Sequence, residues 1–242
     1  MKLSSDDISN LINILNTCNT GDIETIIIED GFVRGVNEAR NFVILSNEGV
    51  PTLPQKMGLG RLNAIRQRMD LFATNTSTVI NVVESDRGEI SSIEISAGKN
   101  KVQARCMSTV LIKAPKVIND PDDIAITLSK DEMKLLLNAV KVMGSAVVQL
   151  VVKSDGTVHF IASDESNDAF NMTLDSSVEW LSDDVGAKVH YYHANIFLAV
   201  LRKLSDMDEV ISIVGAAGTF KTQLNGHMVY ILSKIDEDTD EE

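Results

Sequence analysis

The chain repeats itself at an offset of 125 residues: Leu3-Ser4-Ser5-Asp6-Asp7-Ile8 returns as Leu128-Ser129-Lys130-Asp131-Glu132-Met133. Internal repetition decides the architecture before any single motif does. Both copies open a helix. Ser129 and Glu132 have the spacing of a capping box, in which hydroxyl and carboxylate satisfy free N–H groups of the first turn, and Ser4 with Asp7 is a poorer version. The apolar positions Ile8, Leu11, Ile12 and Leu15 match Met133, Leu136, Leu137 and Val140 at helical spacing. Each helix ends near a glycine, Gly21 or Gly144.

A β-rich run follows each glycine, residues 23–28 in the first half and 146–152 in the second. Asp30-Gly31 and Asp155-Gly156, again 125 apart, suit tight hairpins because both residue types tolerate positive φ. Further strands are expected over 32–46, 157–163 and 168–174. A second helix appears in each half, Leu59 to Phe72 and His193 to Ser205. Strands then follow near 78–84, 89–96 and 101–107, and near 208–214, 219–224 and 227–232. Each half reads as helix, hairpins, helix, hairpins. Residues 113–123 hold two prolines and no clean periodicity, so they read as an extended connector between an N-terminal domain, 1–112, and a C-terminal domain, 124–242.

The 242 residues accommodate two such domains, and 44% apolar with 24% charged residues is ordinary globular composition. No apolar run approaches the ~18 residues of a membrane span, and the start lacks a basic segment followed by an apolar one. The expectation is a protein with no membrane association. Cys18 and Cys106 are too few for a disulfide framework or a zinc site and predict free thiols in the cytoplasm. The formal charge is −13, unevenly shared: residues 1–123 carry 13 basic and 16 acidic side chains, residues 124–242 carry 9 and 19. Six of the last seven residues are acidic, a solvated tail by the ordinary reading. Such a surface as a whole repels nucleic acid.

Catalytic signatures are missing: there is no G-x-S-x-G, H-E-x-x-H, P-loop or dinucleotide fingerprint. His190 and His193 sit three apart without a carboxylate at ligand spacing, so a surface or helix-start role is expected and no metal or cofactor. Nothing supports an enzyme. The basic residues are more informative. Lys130, Lys134 and Lys141 fall within ~40° of one another on a helical wheel, beside the apolar stripe. Arg61 and Arg68 share a face of the second helix with Arg66 nearby, and Arg202-Lys203 end the fourth. Eight of 22 basic residues thus occupy three helices, whereas the first helix, 6–18, has none.

Residues Gly226 to Asp238 resemble the C-terminus of PCNA-type DNA polymerase sliding clamps, where a Tyr-Leu-Ala-Pro-Lys-Ile segment runs into an acidic tail. The second half is similar almost throughout: helix, Met-Gly, strand, Lys-x-Asp-Gly, strand, Ser-x-Asp/Glu. The MKLS opening is also like that of T-even phage clamps. Ser233 stands where the clamps have proline.

The resemblance implies an α+β chain of two similar DNA-clamp domains, each with two helices packed on antiparallel sheets. Three subunits join head to tail in a ring around duplex DNA, the helices lining the hole. It implies a processivity factor rather than an enzyme, whose partners are double-stranded DNA, a DNA polymerase, a clamp loader and two further copies of itself. The place of work is a cytoplasm, that of the host for a phage, or a nucleus. Arg61, Arg66, Arg68, Lys130, Lys134, Lys141, Arg202 and Lys203 are then expected to face phosphates, with Lys2 a weaker candidate and the first helix contributing least. The subunit edges are expected at residues 101–107, with Lys101, Val102 and Arg105, and at 177–182, with Val178 and Trp180 as anchor. A partner-peptide pocket is expected from Phe42, Ile44, Val117, Ile118, Tyr230, Leu232 and Ser233, where apolar anchors would enter under the connector. Ser233 would loosen its floor or alter anchor preference. The competing expectation is a β-rich structural ring or interaction protein, such as a duplicated-domain virion or tail component.

Overall fold

The computed structural model describes residues 1–72, 78–85, 89–166, 168–174, 178–183 and 186–234. The acidic tail and the first residue of the expected 177–182 edge lie outside them. The chain forms two compact units, residues 1–117 with 225–228 and residues 118–224 with 229–242.

In the first unit, helix α1 (Ser5–Thr20) is followed by β1 (Thr25–Glu29), β2 (Phe32–Val36), β3 (Phe42–Ser46) and β4 (Met57–Gly60). These strands pair antiparallel in the order β4-β1-β2-β3. Helix α2 (Leu62–Asp70) leads to a second sheet of β5 (Val79–Glu84), β6 (Ile90–Ala97) and β7 (Asn100–Arg105). Residues 1–3 extend that sheet: the Leu3 N–H donates to Ile80 O at 2.9 Å and the Val82 N–H to Met1 O at 2.7 Å. Helices α1 and α2 pack together.

The second unit repeats this plan. Strand β8 (Asp122–Ser129) leads directly into α3 (Lys130–Met143), then β9 (Val147–Val152), β10 (Val158–Ser163), β11 (Ala169–Thr173), β12 (Glu179–Trp180) and β13 (Lys188–His193). Helix α4 (Ala194–Leu204) precedes β14 (Glu209–Gly215), β15 (Phe220–Leu224) and β16 (His227–Ile231), whose first two residues are counted in the first unit. One sheet runs β11-β10-β9-β13, and the other places β8 between β12 and β14, with β15 beyond. Helices α3 and α4 pack on each other and on strands of both sheets. Phe197 of α4 ties the layers together, its ring centroid 5.4 Å from Tyr192, 5.3 Å from Phe220 and 5.7 Å from Phe160.

The repeat appears in the caps. Ser129 and Glu132 form a full capping box, and so do Ser4 and Asp7: the Asp7 N–H donates to Ser4 Oγ at 3.1 Å and the Ser4 N–H to Asp7 Oδ2 at 3.0 Å. The shorter aspartate arm therefore closes the same box. The two Asp-Gly hairpins differ. Asp30 (φ 51°) and Gly31 (φ 75°) both take left-handed backbone in a two-residue turn, whereas in the second only Gly156 does, at φ 82°.

Three expectations require correction. The second helix starts at Leu62, not Leu59, because Met57–Gly60 pair with β1, register Ile27 to Gly58. Residues 122–129 are a strand in which Ile124, Ile126 and Leu128 are buried and Ala125 and Thr127 less so, whereas the connector was expected to run to Asp123 and a helix to open at Leu128. The strands expected over 32–46 are β2 and β3, parted at residues 37–41, where Asn37 Oδ1 accepts from the N–H groups of Asn41 and Phe42. Residues 188–193 are a strand, which buries His190 rather than exposing it; His193 does sit at a helix start, as the N-cap of α4.

The short strand β12 hangs on one charged node. The Asp123 carboxylate, 1% exposed, accepts from Lys188 Nζ at 2.7 Å and Ser182 Oγ at 2.5 Å. Burial pushes this carboxyl up, but Lys188 and Ser182 outweigh it and hold it below the ordinary carboxylate range. Lys188 also stands over the Trp180 ring, 5.9 Å from its centroid.

Two predictions follow from the packing. A Cβ at Gly21 would overlap the Phe42 ring, while Gly144, at φ 63°, has open space around it. Gly144→Ala should therefore cost only its backbone strain, ~1 kcal/mol, and Gly21→Ala more, about 1–3 kcal/mol from overpacking, read from urea midpoints. At the charged node, a carboxyl with a depressed folded pKa stabilises fully above its unfolded value, about pH 4, and loses that contribution as pH falls through the folded value. Wild type should accordingly show a steeper acid loss of stability below pH ~4 than Asp123→Asn. Lys188→Met, which strands the buried carboxylate, should cost about 3–5 kcal/mol at neutral pH.

Candidate nucleic-acid interface and partner pocket

Helix geometry brings most of the expected cations onto outward faces. On α3, Lys134 and Lys141 are exposed two turns apart, with Asn138 between them. Lys130 differs: its ammonium lies 3.3 Å from Asp206 O and 3.5 Å from Asp208 Oδ1, so part of its charge is answered within the unit. Arg202 and Lys203 are exposed in the last turn of α4, where they also complement the negative end of the helix. Lys134, Lys141, Arg202 and Lys203 make no ion pair with any described residue, which leaves four cations for an external anion.

In the first unit, Arg61 is exposed as the N-cap of α2 in left-handed backbone, φ 54° and ψ 50°. Such a conformation is rare for a residue with a side chain. Arg66 and Arg68 are half-buried on the same helix. The solvent side of α1 offers Ser5, Asp6, Ser9, Ile12 and Asn19 and no cation. Lys2 is exposed, but its backbone forms a bridge with Asn81 beside β5. Two apolar residues that sequence reasoning did not single out, Leu135 (48% exposed) and Val142 (83%), stand beside the lysines of α3.

The expected pocket residues divide. Phe42 and Ile44 are wholly buried in the first unit, so they present no side chain to a ligand, and Val117 of that unit is exposed. In the second unit Ile118, Tyr230, Leu232 and Ser233 are half-buried. Ile118 and Tyr230 line a pocket of about 130 Å³ together with Asp120, Asp122, Gly215, Thr219 and Lys221. Sequence reasoning missed the last five: Asp120 and Asp122 read as connector, and nothing local links them to a turn nearly 100 residues on. Burial, with Asp122 nearby and opposed by Lys221, pushes the Tyr230 hydroxyl up, so it stays protonated.

Ser233 is a correction. Instead of loosening the C-terminal segment, its hydroxyl ties the segment to β13: Oγ accepts from the Tyr191 N–H at 3.2 Å and lies 3.1 Å from Tyr191 O, to which the Lys234 N–H also donates at 2.7 Å. A proline could make no such side-chain bond.

The expected interface residues lie on sheet edges. Among the described residues strand β7 pairs only with β6; Lys101 and Arg105 are exposed and Val102 half-buried, with Lys101 bound to Glu94 at 2.8 Å. Val178 and Trp180 are half-buried, and Trp180 belongs to β12, an edge strand of only two residues on β8. The four-stranded sheet of the second unit ends in β11 on one side and β13 on the other. Among the described residues no group of three or more His, Cys, Asp or Glu is placed to hold a metal, and no helix is long and apolar enough to cross a membrane. Both cysteines are free; burial raises the Cys106 thiol to about 11 and pushes Cys18 up further.

No protein-family model and no curated protein sequence matches the chain. Solved structures do. The PCNA2–PCNA3 complex from Sulfolobus tokodaii matches at TM-score 0.64 and 14% identity, over 97% of this chain and 99% of that one. A. fulgidus PCNA with the C-terminal region of FEN-1 bound matches at 0.68 and 10%, over 98% and 100%. The DNA polymerase III subunit beta from Pseudomonas aeruginosa matches at 0.68 and 12%, over 96% of this chain and 64% of the longer subunit. Two similar α+β units, each with a helix pair beside antiparallel sheets, thus give this chain the fold of the sliding clamps.

Proposed function

We propose that the protein is a DNA polymerase sliding clamp, a non-enzymatic ring of three subunits that holds a polymerase and other replication proteins on duplex DNA. The observation that carries this reading is the placement of charge. In a chain of −13, Lys134, Lys141, Arg202 and Lys203 are exposed, and unpaired among the described residues, on two adjoining helices of a clamp fold. Cations at that density bind phosphate without reading bases, and an acidic remainder repels DNA elsewhere. A ring that works by encirclement needs little intrinsic affinity.

The free edges β7 and β11 suit head-to-tail closure, in which an edge of one subunit meets a different edge of the next. Trp180 and Val178 are proposed to border that contact, and Lys101, Val102 and Arg105 to form the β7 side. Partner segments are proposed to seat beside Val117, Ile118, Tyr230, Leu232 and Ser233, by analogy with the FEN-1 C-terminal region bound to A. fulgidus PCNA. A clamp loader is the further partner a closed ring requires.

One observation favours the competing reading, a duplicated-domain structural ring. Leu135 and Val142 are exposed where a polyanion gains nothing from them, and a protein assembly would cover them.

Three measurements decide. The mass in solution should be three times 26.4 kDa, and Trp180→Asp should return it to one subunit with the circular dichroism spectrum kept. Lys134→Glu with Lys141→Glu and Arg202→Glu should leave the trimer intact but abolish retention on circular DNA and stimulation of a polymerase. The slope of log affinity against log salt should flatten by about 0.9 for each phosphate contact removed. A trimer that never retains DNA would establish the structural ring instead.

A further inference from the structure

We propose that the pocket beside Ile118 takes a basic side chain, arginine above all, from an extended partner peptide. The inference rests on reading the chain as a clamp that receives peptides near the end of its connector. It departs from the apolar anchor that the clamp resemblance implies, and the chemistry of the pocket wall is the reason.

Asp120 forms a fixed part of that wall. Its carboxylate accepts from the N–H of Ala217 at 2.8 Å and of Thr219 at 2.9 Å, over Gly215, where any Cβ would collide with it. The Ala216 N–H donates to Pro121 O at 3.0 Å, so the connector's end is clipped to the β14–β15 turn from both sides. This carboxylate cannot swing away to avoid an incoming group. Asp122 is more available: it is 45% exposed, and its side-chain partner among the described residues, Lys221 Nζ, stands at a long 3.4 Å. The pocket therefore holds two carboxylates against one ammonium.

An aliphatic anchor entering here would remove water from those charges and offer them no replacement hydrogen bond, which is unfavourable. A long cationic side chain meets both parts of the wall. Its methylene stem can lie along Ile118 and the Tyr230 ring while its head reaches the carboxylates. A guanidinium adds two advantages over an ammonium, a planar stack on the Tyr230 ring and a forked bond to Asp122 that outcompetes the long Lys221 contact. A volume of about 130 Å³ suits one such side chain rather than a whole motif, so the pocket sets one position of the peptide.

The test uses the full, deuterated chain and amide spectra, with three capped amino acids as probes: N-acetylarginine amide, its neutral isostere N-acetylcitrulline amide, and N-acetylnorleucine amide. The arginine probe should shift the amides of Ala217, Thr219 and Lys221 saturably. The citrulline and norleucine probes should bind roughly threefold to tenfold more weakly, the scale of a partly exposed charge pair with a ring contact. Asp122→Asn should erase the preference, and raised salt should reduce it in wild type. Equal or tighter binding of citrulline or norleucine, shifts confined to other amides, or an undiminished preference in Asp122→Asn would overturn the proposal. The clamp reading fails separately: a monomeric mass with the arginine preference intact counts against the ring alone, and a DNA-retaining trimer that prefers norleucine counts against the basic anchor alone.

Discussion

Each half of this chain depends on a junction where a sheet-paired segment turns without a loop into a capped helix. Residues 1–3 pair with β5 and then Ser4 and Asp7 cap α1; β8 pairs with β14 and then Ser129 and Glu132 cap α3. The capping box satisfies first-turn N–H groups at the point where ladder bonds end, so few backbone donors go unmet at the corner. That junction sets where each helix lies against its sheets, and every later element packs on the result. It also explains why the repeat is readable: the junction's chemistry needs a hydroxyl and a carboxylate three residues apart.

Charge is distributed over this scaffold by exposure more than by count. The second half is the more acidic one, yet its helices α3 and α4 expose Lys134, Lys141, Arg202 and Lys203, none of them in an ion pair with a described residue. Asp123 and Lys188 show the opposite use of charge. Buried and mutually bonded, they hold a two-residue strand and the chain's lone tryptophan in place and contribute little to any external field. The same residue types therefore serve as scaffold in one place and as presented surface in another, and solvent access separates the two.

The C-terminal segment shows how one side chain can pin a chain end locally. A serine in place of proline gains both a donor and an acceptor, and Ser233 uses them on Tyr191. The pocket nearby has mixed walls, since Asp120, Asp122 and Lys221 stand beside Ile118 and Tyr230. Polar walls of this kind change what can be accommodated without changing the fold, because they lie on a turn and a connector rather than in the core.

Local signals were enough for much of the architecture. The two-fold repeat, the four helices, the Asp-Gly hairpins and the cationic faces of α3 and α4 could all be read from spacing, since each is set by contacts within a few residues. Strand β4 and the true start of α2 could not: Met57–Gly60 are strand only because β1 lies beside them, and two glycines carry no periodicity to announce it. Strand β8 hid behind two prolines, and β13 behind two histidines with no obvious partner. The site was less legible than the fold. Phe42 and Ile44 are pocket residues only by the clamp resemblance, and the structure buries both, because a matching position carries no mark of which side of its strand is covered. Asp120 became a pocket wall only when the turn at 215–219 was folded against it. By itself, then, the sequence determined the repeated unit, its caps and the positions of its charges, which are local matters of spacing and residue type. Which edges stay open, which cations stay unpaired and which acids share a pocket were decided by tertiary structure, because each depends on residues tens to a hundred positions apart meeting in space.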